Sequence, residues 1–234
     1  MFIEREVLIS ALKATIDGCT PIHDISQNAK VPLQLTREIL RRNCALGIVH
    51  LEDESVRFIG DQRIRVAVKA LEMGADIERV CSLLTWTEFE DVSVMAFESN
   101  NYSVKKHLRF SWFERRWEVD IVGCKEPMVI SVDCKHWLRG WSTSATVKAT
   151  EMQVKRTQAL VEASSTLRGK MMLGGWQRAI FIPVILSLNP GSFKFYKETP
   201  IVPILQLQGF LREILAYVTT LTHFTKFFPE VDRI

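Results

Sequence analysis

Two stretches in the middle of the chain carry an apolar residue at every second position, which is a pattern typical of strands. The first stretch, 117–121, has an apolar side chain at every second position, and the second stretch, 128–132, has the same arrangement. Residues 123–127 between them read Gly-Cys-Lys-Glu-Pro, a composition typical of a turn. The pattern therefore predicts a β-hairpin with this segment as its turn.

Apolar residues in the N-terminal part of the chain recur with helical spacing. The predicted elements are helices over 5–17, 21–29 and 32–46, followed by strands over 48–51 and 56–59. Short helices followed by a two-stranded hairpin resemble a winged helix-turn-helix domain. That domain would span residues 1–60.

The third of these helices would be the recognition helix of such a domain. Arg37 and Arg41 lie four residues apart, so they share a helix face that could contact phosphates or base edges of DNA. Arg42 is placed to pair with Glu38. Residues 1–75 carry ten basic and ten acidic residues, however, and winged helices also serve as dimerisation or protein-docking modules. Both DNA contact and protein docking stay open for this segment.

Beyond residue 60 the pattern predicts a helical connector over 61–86 and then an α/β domain over 87–234. The connector consists of helices over 61–73 and 76–84. The predicted elements of the domain are a helix over 87–100, strands over 104–113, 114–122 and 128–133, a long helix from about 146, strands over 179–188 and 201–207, and an apolar helix over 210–228. This order is helix, three strands, helix, two strands, helix.

Composition changes this picture mainly through the distribution of charge. The chain of 234 residues has a net charge of +3, but residues 100–180 hold fourteen Lys and Arg against seven Asp and Glu. Residues 76–99, in contrast, hold one basic and six acidic residues. A basic segment that contains the predicted hairpin favours contact with a polyanion, although a solvated protein face can have the same composition.

The cysteines and apolar runs indicate the compartment. The cysteines are widely spaced, odd in number and without a CxxC pair, so we expect reduced thiols and no zinc site: Cys19, Cys44, Cys81, Cys124 and Cys134. Apolar runs are too short to cross a bilayer, and the N-terminus lacks the apolar core of an export signal. We expect a cytoplasmic protein with no membrane partner.

Asp120, Asp133 and Lys135 form the candidate catalytic group of the predicted hairpin. Asp120 lies within the first strand, and Asp133 and Lys135 close the second strand after a spacer of twelve residues. Two carboxylates that face each other across a hairpin offer oxygen ligands to a hard divalent cation, and a nearby ammonium can hold a water or a phosphate. This combination suits phosphodiester hydrolysis, whereas ordinary strand-end carboxylates are the plainer interpretation.

Asp120 followed by Asp133-Cys134-Lys135 resembles the signature of the restriction-endonuclease-like (PD-(D/E)xK) nuclease superfamily, in particular its archaeal Holliday junction resolvase and Mrr-like branch. The resemblance implies a restriction-endonuclease-like αβββαβ core. It also implies that Asp120, Asp133 and the Cys134 carbonyl bind Mg²⁺, with Mn²⁺ able to substitute, while Lys135 holds the attacking water or stabilises charge on the phosphorane. The implied function is a metal-dependent DNA endonuclease of repair, recombination or restriction.

The resemblance extends to the helix before the strands. Glu90 matches the glutamate that completes the metal site in the resolvase-like families, and Glu88 is the second candidate. However, Thr87-x-x-Glu90 also fits a capping box, in which the glutamate only satisfies the N-terminus of the helix. Asn101 stands where glycine is usual, a departure that asparagine tolerates because it also adopts left-handed backbone conformations.

The long helix after the strands supplies a further candidate. Gln153 matches a residue that contacts the phosphate or the attacking water in related nucleases. The tyrosine that follows four residues later in RecB-like nucleases is replaced by Thr157, which disfavours that branch.

DNA is the expected partner. Arg139, in a polar loop over 139–144, and Lys148 and Lys155 on the long helix are candidate DNA contacts, in addition to the two arginines of the recognition helix. Three alternatives stay open: RNA as the substrate, a homodimer formed through the apolar last helix, and a non-catalytic DNA-binding or regulatory protein that retains a nuclease fold.

Overall fold

The computed structural model describes residues 2–16, 18–135, 142–188, 190 and 193–229. The chain divides into two compact units, Met1–Asp91 and Val92–Ile234. The predicted α/β fold class is confirmed.

The first unit begins with the predicted winged-helix elements. They are helix α1 (Phe2–Ala14), strand β1 (Thr20–Pro21), helices α2 (Ile22–Ala29) and α3 (Leu33–Ala45), and strands β2 (His50–Glu52) and β3 (Ser55–Arg57). The strands form an antiparallel sheet in the order β1-β3-β2. Fully buried aliphatic residues such as Leu8, Leu12, Ile25 and Leu40 hold the helices together, since burial of each such side chain contributes about 1.5–3 kcal/mol.

One predicted ion pair of this unit is wrong. Arg42 Nη2 lies 2.6 Å from Glu4 Oε2 on helix α1, so it does not pair with Glu38 as its spacing suggested. Glu4 also accepts a hydrogen bond from the buried amide of Asn43 at 3.0 Å and lies 3.6 Å from Lys69 Nζ. Arg42 therefore pairs with Glu4 on another helix and not with Glu38 on its own helix. Packing of α1 against the helices that carry Asn43 and Lys69 brings Glu4 within reach of all three partners.

Three further helices follow: α4 (Gln62–Glu72), α5 (Ile77–Cys81) and α6 (Trp86–Ser99). Helix α6 starts before the predicted Thr87 because Thr85 caps it. The Glu88 N–H donates to Thr85 Oγ1 at 3.3 Å, and the Thr85 N–H donates to Glu88 Oε2 at 2.8 Å. This reciprocal capping box uses Glu88, so the alternative reading of Glu90 as the capping residue is wrong. The division between the units falls inside α6.

The second unit is built on a seven-stranded mixed sheet. Its elements are strands β4 (Ser103–Trp112), β5 (Arg115–Lys125) and β6 (Met128–Lys135), helix α7 (Thr143–Leu167), strands β7 (Arg178–Ser187), β8 (Phe195–Tyr196) and β9 (Thr199–Pro203), helix α8 (Leu207–Tyr217) and strand β10 (Phe224–Phe227). The strand order is β4-β5-β6-β7-β9-β8, and β10 pairs with β7. Together with α6, this gives the predicted order of helix, three strands, helix and strand.

The sheet changes from antiparallel to parallel pairing at β6. Strands β4, β5 and β6 are antiparallel neighbours, whereas β6, β7 and β9 are parallel. Parallel neighbours need a long crossover connection, and the 25-residue helix α7 supplies it between β6 and β7. The helix packs on the sheet through a core that includes Leu160, Leu167, Val122, Val129 and Phe181.

Gly123 lies inside β5 and is not a turn residue as its neighbours suggested. A Cβ atom at this position would lie 2.5 Å from Cδ1 of Phe97, a fully buried residue of α6. The glycine is therefore required for close packing of α6 on the sheet, and the turn of the hairpin is confined to Glu126–Pro127 between β5 and β6.

The C-terminal part of the chain differs from the prediction. The helix predicted over 210–228 ends at Tyr217, a 3-10 helix follows over Val218–Thr220, and Phe224–Phe227 forms β10 antiparallel to β7. β-Branched residues at 218–220 and 222 are weak helix formers, which favours this break. The strand predicted over 201–207 is shorter, because residues Ile204–Gln206 form a 3-10 helix.

Within the described ranges, every helix is too short or too polar to cross a membrane.

Candidate metal centre

The hairpin brings Asp120 next to the end of β6. Ile121 pairs with Val132 across the two antiparallel strands. Asp120, the residue before Ile121, therefore lies level with the Asp133-Cys134 segment. The Cys134 N–H donates a hydrogen bond of 2.8 Å to Asp120 Oδ2. Strand β4 is irregular at the same level, since His107, between the paired residues Lys106 and Leu108, has a φ of 47°. The Asp120 carboxylate is thus fixed against the β6 backbone.

Glu90, Asp120 and Cys134 form a cluster that could hold a metal ion. Each offers one ligand atom, a carboxylate oxygen or the cysteine sulfur, and these atoms lie within 4.8 Å of one another. Glu90 is 1% exposed, and its Oε1 accepts a hydrogen bond of 2.7 Å from Trp86 Nε1 one helical turn earlier. Helix α6, which carries Glu90, continues to Phe97 and packs there on β5. The cluster contains two buried or partly buried acids and does not identify the metal.

The environment of Asp120 disfavours its negative charge. Burial, followed by the charge of Asp133, raises the pKa of Asp120 from its ordinary value of 3.8 to about 6. The Cys134 N–H and the positive charges of Lys135 and Arg156 act in the opposite direction but leave the pKa raised. A cation bound beside this carboxylate would relieve both causes of the shift, because it replaces the proton as the compensating positive charge.

Asp133 is neutralised by two basic residues. Its side chain is 5% exposed, Lys135 Nζ lies 2.7 Å from Oδ2, and Arg156 Nη1 lies 2.8 Å from Oδ1. The Lys135 side chain is 22% exposed, so part of it is open to solvent while it pairs with Asp133. The structure therefore brings Asp133 and Lys135 together as a pair, next to the cluster that contains Asp120.

Gln153 is fully buried between α7 and β6. Its Nε2 donates to the carbonyl oxygen of Ser131 at 2.6 Å and to Ser131 Oγ at 3.1 Å, and its Oε1 accepts from Arg156 Nη1 at 2.6 Å. All three of these contacts are made to the protein itself. In this arrangement it fixes α7 to β6 and orients the guanidinium that binds Asp133.

Arg156 is the site residue that the sequence pattern did not single out. It follows Gln153 by three residues, which places both on the buried face of α7. An arginine at an inward position of a helix implies a buried acidic partner, since an unpaired buried charge is strongly disfavoured. The spacing of three residues between Gln153 and Arg156 was the feature of the sequence that could have identified Arg156.

The candidate DNA contacts lie in three places. On α3, Arg37 Nε is 2.7 Å from Glu54 Oε2, whereas Arg41 is exposed. On α7, Lys148 and Lys155 are exposed and lie on the face away from the sheet. Arg139 and the two residues after it lie outside the described residues.

Comparison with known proteins gives limited likenesses. No family model matches the chain. An uncharacterized protein of Archaeoglobus fulgidus is 28% identical over 137 residues, which are 58% of this chain and 95% of that protein. Two solved structures are similar at low TM-scores: protein VC1899 from Vibrio cholerae (0.38, 11% identity) and the restriction endonuclease FokI bound to DNA (0.40, 15% identity). They cover 94% and 93% of this chain, which spans 52% and 45% of their lengths.

Proposed function

We propose that this protein is a metal-dependent DNA endonuclease whose reaction takes place where β5 and β6 meet α6 and α7. The observation that carries the proposal is the pair of carboxylates, Glu90 and Asp120, gathered beside Cys134 with the pKa of Asp120 raised. A partly exposed lysine stands at the end of the adjacent strand. A cation bound between these two acids would compensate the charge that burial disfavours.

The donor set fits a hard divalent cation. Carboxylate oxygens are the ligands that Mg²⁺ and Mn²⁺ prefer, so Glu90 and Asp120 would hold the ion. The thiol of Cys134 is a softer donor, and within the proposal its carbonyl oxygen is the third ligand. Asp133 is the fourth candidate. Such an ion, when bound, polarises the scissile phosphate and lowers the pKa of a coordinated water.

The chain's own residues supply positioning and positive charge. Asp133 holds the ammonium of Lys135 at 2.7 Å, so the lysine is fixed at the edge of the site with part of its surface open to a phosphate or a water. Positive charge at that position stabilises charge that develops on the phosphorane. Arg156 shares the charge of Asp133, and Gln153 holds Arg156, so both are positioning residues.

DNA is the proposed substrate because residues 100–180, which include Asp120 and the Asp133-Cys134-Lys135 segment, are basic. Lys148 and Lys155 on α7 and Arg139 after β6 are the proposed phosphate contacts, and Arg37 and Arg41 are the proposed contacts of the winged helix. Phosphate contacts of this kind release counterions, so binding should weaken steeply with salt. The same chemistry would also allow RNA, which belongs in the substrate panel.

The test is cleavage of branched, linear and single-stranded DNA, and of RNA, with Mg²⁺ or Mn²⁺. Asp120→Asn, Asp133→Ala and Lys135→Ala are each expected to lower the rate at least about a hundredfold, as loss of an electrostatic contact in a transition state does. Glu118→Gln is the matched control. This carboxylate is also on β5, but it is 40% exposed and pairs with Arg109 at 2.8 Å and with His107 at 3.5 Å. Cleavage that survives all three site substitutions would remove the proposed active site.

One observation favours a second candidate, a DNA-binding protein without catalysis. Asp133 already has two cationic partners, so this carboxylate is satisfied without a metal ion. Wild-type protein that binds DNA but cleaves none of the substrates with either metal would establish the non-catalytic function.

A further inference from the structure

The turn that joins β4 to β5 has residues that are unusual for the backbone conformation of a tight hairpin. Phe113 and Glu114, the residues between the strands, have φ values of 45° and 57°. Two-residue turns with this backbone strongly favour Asn-Gly or Asp-Gly, because a bulky side chain at positive φ is strained. A phenylalanine here carries an energetic cost that the fold of the hairpin does not require.

Phe113 gains no burial in return for this strain. This residue is 86% exposed, the highest value among the exposed large apolar residues of the described chain. The ring of Trp112 meets it edge to face, with centroids 5.3 Å apart and planes at 83°. The neighbouring indole therefore supports a phenyl ring whose other surface faces solvent. Strained residues with exposed apolar side chains are typical of functional sites.

Two exposed arginines, Arg115 and Arg116, follow the turn at the start of β5. The Arg115 guanidinium lies 4.0 Å from the centre of the Trp117 ring, a cation–π contact that holds it beside the turn. Arg116 is exposed and pairs across the ladder with Ser111. A recess of about 560 Å³ opens on the same hairpin, lined by Arg109, Phe110, Ser111, Arg116, Trp117 and Glu118. Proteins stack exposed aromatic rings on bases and contact the phosphates with nearby basic side chains, and this hairpin carries both kinds of residue within four positions of the chain.

We propose that the β4–β5 hairpin is a base-stacking contact for DNA with unpaired bases, in which Phe113 stacks on an exposed base and Arg115 and Arg116 contact the adjacent phosphates. This inference rests on the proposed function for its choice of DNA. A single ring can stack only where a base face is open, which occurs at forks, branch points and single strands but not inside an intact duplex. The hairpin thus selects branched or partly single-stranded DNA.

The length of β5 gives the distance between the hairpin turn and the proposed active site. Along β5, Arg115 and Asp120 are five residues apart, which corresponds to about 17 Å at ~3.4 Å per residue. Successive nucleotides of a strand are spaced by about 3.4 Å along the helix axis. If the paired stem of the forked DNA lies between the turn and the site, cleavage is expected about five base pairs from the base that stacks on Phe113.

The experiment measures binding without cleavage. Fluorescence anisotropy in EDTA compares a duplex that ends in two unpaired arms with a blunt duplex of the same paired sequence. Phe113→Ala is expected to weaken binding of the forked DNA by about 5- to 150-fold, the equivalent of one base–aromatic stack of ~1–3 kcal/mol. Binding of the blunt duplex should not change, and Phe113→Trp should retain binding of the fork.

Phe113→Gly is the variant that separates function from folding. Glycine adopts positive φ without strain, so this variant should melt at a higher temperature than wild type and still lose the preference for forked DNA. Arg116→Ala should instead weaken both DNAs and lower the salt slope by about one. A residue that merely shaped the turn would not give higher stability together with lost binding.

Three results would overturn the proposal: equal loss on forked and blunt DNA, no loss in Phe113→Ala, or wild-type protein that binds no forked DNA. A change in self-association with unchanged DNA binding would assign the ring to a protein contact instead. Because no cleavage is needed, an inert wild-type enzyme whose fork binding depends on Phe113 would refute only the proposed catalysis. Cleavage with fork binding that is independent of Phe113 would refute only the stacking contact.

Discussion

Replacement of Asp120 by asparagine is expected to stabilise the protein in the absence of metal while it abolishes metal binding. Asparagine has nearly the same shape, and its side-chain carbonyl can still accept the hydrogen bond from the Cys134 N–H. What the substitution removes is a negative charge that burial and Asp133 disfavour. The site would then be one at which stability is given up for function.

The magnitude follows from the pKa of Asp120. A rise from 3.8 to about 6 is roughly two units, and each unit corresponds to 1.36 kcal/mol, so the charged form costs up to ~3 kcal/mol. Because the folded state holds this proton more tightly than the unfolded state, the contribution of Asp120 to stability is fully present below about pH 4. It is lost as the pH rises through about 6. We expect Asp120→Asn to raise the free energy of unfolding by about 2–3 kcal/mol at pH 8 and by little at pH 4.

The assay is urea denaturation in EDTA from pH 4 to 8, with wild type and variant measured in parallel. Glu118→Gln serves as the control. A hydrogen bond from Arg109 lowers the pKa of Glu118, so the folded state favours its charged form. Removal of this charge should therefore not stabilise the fold. With Mg²⁺ or Mn²⁺ in place of EDTA, wild type should gain stability and Asp120→Asn should not. A variant that is no more stable than wild type at pH 8, or a gain that does not depend on pH, would contradict the reasoning.

Two further predictions concern the elements that position the site. Gly123→Ala is expected to lower the free energy of unfolding by about 1–3 kcal/mol, since its Cβ would lie 2.5 Å from the ring of Phe97; Gly169→Ala, which meets nothing within 4 Å, is the control, and equal stability of the two variants would contradict the close packing. Thr85→Ala should lower the free energy of unfolding by about 0.5–2 kcal/mol and therefore lower the melting temperature, whereas Thr87→Ala should have little effect on either. The reverse result in thermal denaturation would place the helix cap at Thr87.

The local pattern of apolar residues did not predict β10, the last strand of the described chain. Apolar residues over 210–228 fit a helix, yet the chain leaves the helix after Tyr217 and adds β10 to the first half of β7. A strand of four residues is stabilised mainly by the neighbour with which it pairs, and that neighbour lies more than forty residues earlier in the sequence. Local spacing carries no information about such a partner.

The sequence by itself determined most of the helices and strands before the C-terminal part of the chain, and the closeness of Asp120 to the Asp133-Cys134-Lys135 segment. Both follow from local spacing, because alternation defines a strand and a short turn fixes which residues of a hairpin are level. Only the tertiary structure decided which charges pair. Thr85-x-x-Glu88 and Thr87-x-x-Glu90 fit the same capping pattern, and the structure gives the cap to Glu88 and buries Glu90 beside Asp120. It also places Arg156 on Asp133, since a buried charge takes the partner that packing brings to it, whatever their separation in the chain.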